Sequence, residues 1–300
     1  MSIREGITSK PYMQLLLILL LCGVSLILFT LIGGVLAVVL YGMAVLNIEN
    51  LSDPVVVEGL KLIQLCSAIG VFVVPPIVYG LIRSKKWGKQ LGLKAPSKSM
   101  NYVLVILLML ASAPAVSWIT AVNADMVLPD FLSGLEAWMR QQEDQAAELI
   151  NAFLSIDGAG SLVYVMIIIA VVPAVGEELL FRGVIQKSFV QWFNNPHWGI
   201  WITAILFSAL HMQFFGFFPR MLLGVVFGYV FYWSGSLWIP IVGHFINNGS
   251  VVLMSYLMPE LMNDEILFEG NPYAYIYYLI SILLSLGLIL WFRRLNQNVS

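Results

Sequence analysis

Charge is scarce in this 300-residue sequence: 11% of its residues are Asp, Glu, Lys or Arg, and 15 basic residues against 17 acidic ones leave a net charge of −2. No basic field exists to hold nucleic acid, and no long run of one sign marks a disordered tail. Cysteine is scarcer still. Cys22 and Cys66 both lie in apolar runs, where they act as small buried hydrophobes, so neither a disulfide framework nor a zinc ribbon is expected. There is no Walker A loop and no Rossmann glycine fingerprint, which removes nucleotide-driven chemistry. Internal repeats, low-complexity tracts and Pro/Gly/Ser linkers are also missing, so no second independent domain is indicated.

What the sequence does have is apolar surface. Hydrophobic residues make up 60% of the chain and the mean hydropathy is +0.88. That balance rules out an ordinary soluble domain and points to the lipid bilayer as the principal partner. A bilayer core about 30 Å thick takes about 20 apolar residues per helix. Eight windows qualify: Pro11 to Leu46, Val57 to Ile82, Tyr102 to Val122, Leu162 to Phe181, Gly199 to Phe215, Phe218 to Trp233, Leu237 to Leu257 and Tyr273 to Phe292. The fold class expected is therefore all-α, a polytopic integral membrane bundle of about eight transmembrane helices. The first window is far longer than the apolar region of a cleavable signal and reads as a retained helix.

Orientation follows from the loops. Arg83, Lys85, Lys86, Lys89, Lys94 and Lys98 occupy one loop without an acidic residue, which places it in the cytoplasm. Glu49, Asp53 and Glu58 mark an outer loop; residues 125–157 carry seven acidic residues against Arg140; Glu260, Asp264, Glu265 and Glu269 mark another. Arg293 and Arg294 end the last span inside. Eight spans with both termini cytoplasmic, in a bacterial-type plasma membrane, satisfy all of these. Between Leu135 and Phe153 the apolar spacing suggests an amphipathic helix on the outer surface.

Ionisable groups at membrane depth cost several kcal/mol unless paired or hydrated, so each one is a functional candidate. They concentrate after Leu162: Glu177, Glu178 and Arg182 in GEELLFRG, His211 in FSALH, and His244 and Asn248 in HFINN. On a continuous helix Glu178 and Arg182 are i and i+4 and can pair, as a salt bridge at a helix end with the arginine reaching for the interface. Glu177 is rotated about 100° away and can face something else. His244 and Asn248 share the i, i+4 spacing, which lets the amide hold the imidazole or present a polar atom to the same ligand.

A carboxylate and two imidazoles converging in a low-dielectric bundle can hold a water, with Glu177 as general base. The same set, Glu177, His211 and His244, with Asn248 or water in the fourth position, is also of the type that hydrolytic zinc sites use. Spacing does not choose between them. His197, Lys61 and Arg220 read as surface or interface residues, and Gly224 with Gly228 as a close-packing pair. HExxH, GxSG and GxGD signatures are all absent.

The three motifs Glu177-Glu178-Leu-Leu-Phe-Arg182, Phe207-Ser-Ala-Leu-His211 and His244-Phe-Ile-Asn-Asn248 resemble those of the CPBP family, the CAAX-protease and bacteriocin-processing (Abi) membrane proteins, also called type II CAAX prenyl endopeptidase-like. The resemblance runs from about Leu162 to Leu257 and implies an intramembrane endopeptidase. It assigns water activation to Glu177 and the rest of the catalytic site to His211, His244 and Asn248, with Glu178 and Arg182 supporting it. Family members are described both as zinc metalloproteases, which would make Glu177, His211 and His244 ligands, and as metal-free glutamate enzymes. Eukaryotic members act on prenylated substrates, bacterial relatives on peptide precursors, so the implied partner is a membrane-bound peptide or protein.

The expected division is an N-terminal helical region at 1–160 with its outer loop, a catalytic core at 161–258, and a C-terminal helix at 259–300. A non-catalytic immunity or scaffold protein, or a small proton-linked transporter, is the competing expectation; an inverted repeat would favour transport, and none is found.

Overall fold

Helices alone carry the fold. The computed structural model describes residues 10–259 and 273–297, and no strand occurs among them. The acidic loop expected at Glu260 to Glu269 lies outside the described residues. Among the described residues ten α-helices follow in order: α1 Pro11–Tyr41, α2 Pro54–Arg83, α3 Trp87–Leu91, α4 Met100–Ala124, α5 Ser133–Phe153, α6 Ala159–Phe193, α7 Pro196–Ala209, α8 Phe217–Ser234, α9 Trp238–Leu257 and α10 Ala274–Asn296.

Six of them, α1, α2, α4, α6, α8 (with the turn before it) and α10, are long and apolar enough to cross a membrane. The chain is an integral membrane protein with a polytopic helical bundle. The other two expected spans form helices that fall short of that measure for different reasons. At 14 residues α7 rises about 21 Å; α9 has 20 residues, but His244, Asn247, Asn248 and Ser250 dilute its hydropathy. Two of those side chains, His244 and Asn248, belong to the candidate site.

Basic residues gather at one end of the bundle. Arg83, at the end of α2, donates to Gln14 near the start of α1, and Lys98 donates to the Leu295 carbonyl at the end of α10. Asn101 and Asn296 exchange amide hydrogen bonds at the same end. The opposite end is closed by α5, which begins two residues before the amphipathic stretch read from the sequence.

Proline shapes the interior. Pro cannot donate to the carbonyl four residues back, and in lipid an unpaired carbonyl has no water to turn to. Pro75 leaves the Val71 carbonyl, and Cys22 on α1 donates to it at 3.4 Å. Pro173 leaves the Ile169 carbonyl, and Asn248 on α9 donates to it at 3.0 Å. Near Pro114, Ser281 on α10 is inserted into the helix ladder: the Ala115 N–H donates to its Oγ, which donates to the Ala111 carbonyl. Widened π-helical turns precede Pro75 and Pro173, at Ile69–Val73 and Ile167–Val171, and absorb the ring clash. At these three places a breach in a helix is met by a bond from its neighbour.

One core cluster joins α1 to the site helices: Ile18, Tyr79, Leu179, Phe181, Phe207 and Ile241 pack together. Most of α1 otherwise faces outward, with only 6% of its apolar window buried, as expected of a helix covered by lipid.

Candidate active site

Glu177 and Glu178 lie midway along α6, just before its second π-helical turn at Phe181–Gln186. The helical step separates them as the sequence suggests. Glu178 and Arg182 form the i, i+4 pair, Arg182 Nη1 donating to Glu178 Oε1 at 2.9 Å. The expectation of an arginine reaching for the interface at a helix end is corrected: neither side chain is exposed by more than 1%. Desolvation on that scale demands further partners. Arg182 Nη2 donates to the Gly224 carbonyl at 3.0 Å, and its guanidinium lies 4.9 Å from the Phe207 ring centroid and 5.6 Å from that of Phe227. Two aromatic faces, a carboxylate and a backbone carbonyl thus receive the charge.

Close approach of α8 makes the carbonyl contacts reachable. A Cβ at Gly228 would come within 2.7 Å of Ile200, and the carbonyl of the same residue accepts from Gln186 Nε2 at 3.1 Å. The small-residue pair packs helices, as expected, and also bares backbone oxygen to the polar residues of α6.

His244 joins the two glutamates. Its Nδ1 is 3.0 Å from Glu178 Oε1 and its Nε2 is 3.9 Å from Glu177 Oε2. An ionised carboxylate only accepts, so Nδ1 carries the proton in that bond. The imidazole is stacked on Phe227 at 5.5 Å. Glu177 is buried, yet it accepts no hydrogen bond shorter than that 3.9 Å approach among the contacts that define the site.

His211 follows the end of α7 and is exposed. Its Nδ1 donates to the Phe207 carbonyl at 2.8 Å, which leaves Nε2 as the acceptor. The Phe207 ring packs edge-on against both imidazoles, 5.0 Å from His211 and 6.2 Å from His244. Asn248 does not hold the His244 ring. One amide N–H goes to Ile169, and Oδ1 accepts from Asn247 at 3.0 Å.

A zinc ion would need Glu177, His211 and His244 to converge. Among the described residues no group of three His, Cys, Asp or Glu side chains is placed to hold a metal ion. His244 Nδ1 is taken by Glu178, and Phe207 contacts both imidazoles. The residues as arranged do not fit a three-ligand metal.

Several supporting residues escape a reading of motifs. The loop carrying His211 is fastened from outside the motif region: Asn123 at the end of α4 donates to the Phe214 carbonyl and accepts from the Phe218 N–H at 2.8 Å. Glu143 on α5 accepts from the Phe215 N–H at 3.1 Å. Arg220, expected at an interface, instead donates to Gln213 in the same loop at 2.9 Å and lies within electrostatic reach of Glu177. Lys61, expected to reach outward, is buried and paired with Glu58 at 2.8 Å. His197 is exposed as expected, its Nδ1 2.6 Å from the Tyr229 hydroxyl.

With that geometry in view, the comparisons with known proteins bear on the same stretch of chain. The sequence model of the family described as type II CAAX prenyl endopeptidase Rce1-like matches residues 159–250. That segment is similar to the Rce1-like family. It contains Glu177, Glu178, Arg182, His211, His244 and Asn248, and it agrees with the family that the three motifs resemble. The uncharacterized protein YpbD of Bacillus subtilis (strain 168) is 31% identical over 85 residues, 27% of this chain and 40% of its own. The chain thus matches well under half the length of that relative. No solved structure matches. Asn123, Glu143 and the helices α1 to α5 lie outside the Rce1-like segment.

Proposed function

We propose that the protein is an intramembrane endopeptidase that hydrolyses a peptide bond in a membrane-associated substrate, prenylated or a peptide precursor, through a water activated by Glu177. The observation that carries this is the unequal treatment of two adjacent buried carboxylates. Glu178 is bound by Arg182 and His244, whereas Glu177 is left facing the Nε2 of His244 across 3.9 Å. A water seated beside that pair would touch both groups. A buried carboxylate without a fixed partner is poised to take a proton.

In the proposed reaction the water oxygen bonds to the scissile carbonyl carbon as Glu177 takes its proton. The tetrahedral oxyanion is stabilised by His244 and by the second amide N–H of Asn248. Glu177 then returns the proton to the amide nitrogen as the C–N bond breaks, releasing amine and carboxylic acid. His211 orients the water through Nε2. Glu178 and Arg182 position His244 without touching the substrate. In this reading both termini face the cytoplasm of a bacterial-type plasma membrane.

The test is cleavage of prenylated and membrane-anchored peptides by the purified chain in liposomes, wild type against Glu177→Gln, with and without chelator. General-base loss should lower the rate about 10²- to 10⁴-fold with the fold intact. An unchanged rate in Glu177→Gln sinks the assignment. Activity abolished by chelator and restored by zinc would move water activation to a metal.

A further inference from the structure

At the basic end of the bundle, far along α6 from Glu177, a cavity of about 440 Å³ opens between α3, α6 and α8. Lys89, Lys94 and Lys187 line it, together with Asn194 and Tyr232. None of the proposed catalytic residues does. No acidic residue lines it either, and none of its three lysines is ion-paired among the described residues.

One of the cations, Lys187, is held in place rather than splayed into water. Lys187 Nζ donates to the Gln90 carbonyl at 2.7 Å and lies 5.1 Å from the Phe231 ring centroid. It is within electrostatic reach of both Lys94 and Arg83. Lys94 reaches over Gly235, which closes α8 at φ +62°; a Cβ there would meet Lys94 Nζ at 3.2 Å. Gathering like charges around a cavity costs free energy unless an anion enters. The surroundings indicate the depth of that anion. Trp192, Phe193 and Tyr232 are exposed beside the cavity, and exposed aromatic side chains at the ends of spanning helices mark the headgroup level of a bilayer.

We infer that this cavity is a binding site for a phosphate group, supplied by an anionic lipid headgroup or by free phosphate. A basic pocket between helices at the membrane surface is suited to such a group, each lysine contributing roughly a fivefold gain in affinity. The site is independent of the proposed hydrolysis, and binding can be read without any substrate.

The experiment uses the full chain in neutral detergent and follows its thermal unfolding midpoint against short-chain phosphatidic acid, inorganic phosphate and zwitterionic phosphatidylcholine. The variants are Lys89→Gln/Lys94→Gln, both exposed residues, and Lys85→Gln/Lys86→Gln, an exposed pair outside the cavity that removes the same charge. A saturable rise with phosphatidic acid should weaken roughly 25-fold in Lys89→Gln/Lys94→Gln and stay within about threefold of wild type in Lys85→Gln/Lys86→Gln. The same pattern with inorganic phosphate identifies free phosphate as a source; its restriction to phosphatidic acid identifies the lipid. Equal losses in the two double variants, equal stabilisation by phosphatidylcholine, or no saturable shift with either anion would overturn the site.

Discussion

His244 Nδ1 and Glu178 Oε1 are 3.0 Å apart, and that contact decides which edge of the imidazole faces Glu177. Because the carboxylate can only accept, the ring is pinned with Nδ1–H inward and Nε2 toward Glu177 Oε2. Arg182 donates to the same Oε1, so the guanidinium, carboxylate and imidazole form one chain of partners. The pair on α6 therefore acts through His244 on α9.

Breaking that chain should cost stability as well as rate. Removing one partner of a buried pair leaves a charge uncompensated, at about 3–5 kcal/mol. Glu178→Gln and Arg182→Met are each expected to unfold more readily by that order, while the double variant recovers much of the loss because no lone charge remains. Unfolding of the three variants in detergent checks this. Wild-type stability in either single variant would contradict it.

Asn248 offers a separate test, because two roles can be divided. Its bond to the Ile169 carbonyl replaces the N–H that Pro173 lacks, and interhelical hydrogen bonds in membranes are worth about 0.6 kcal/mol, up to about 1.7. Asn248→Ala should lose about that much, and Pro173→Ala, by restoring an N–H, should recover it. If Asn248 also serves the oxyanion, the double variant regains stability but not rate. Recovery of both would confine Asn248 to the structural role.

Much of this arrangement is legible in the sequence because helical spacing is a local property. Glu178 and Arg182 pair as i and i+4, Glu177 turns elsewhere, and the apolar windows become helices. The remainder depends on contacts between segments far apart in the chain. That Asn248 would answer Pro173, or Ser281 the ladder beside Pro114, requires knowing which helices touch. Burial misleads in the same way: Arg182 and Lys61 look able to reach an interface until their neighbours are seen to enclose them. His211 falls two residues beyond the helix that carries Phe207: α7 ends at Ala209, and the Phe207 ring links His211 to His244.

The fastening of the His211 loop from outside the Rce1-like segment gives a further expectation. Asn123 and Glu143 hydrogen-bond the backbone of residues 214–218, so they are expected to act as positioning residues. Asn123→Ala and Glu143→Ala should lower kcat several-fold with KM little changed, since His211 is displaced while the substrate contacts remain. Glu143→Gln keeps a carbonyl acceptor for the Phe215 N–H and should restore the rate. Equal damage from Gln and Ala at position 143 would show that the charge, not the hydrogen bond, is what matters there.

α5 should respond to acid at its N-terminal end. Glu136 is held below the ordinary carboxylate range, first by the Leu128 N–H that it accepts at 2.8 Å, then by Arg140, whose Nη2 is 2.7 Å away. A lowered folded-state value means that the ionised carboxylate stabilises the folded form. That contribution is fully present above the unfolded value, about 4.3, and is lost as the pH falls through the lower folded value. Because Arg140 is exposed and the pair sits at the surface, the effect belongs to the local stability of α5, not to the bundle as a whole. Amide hydrogen exchange, corrected for the intrinsic pH dependence, should show residues 128–140 losing protection in acid while α6 keeps it. Glu136→Gln should remove that pH dependence. A pH dependence that persists in Glu136→Gln would assign it to another carboxylate of residues 125–157.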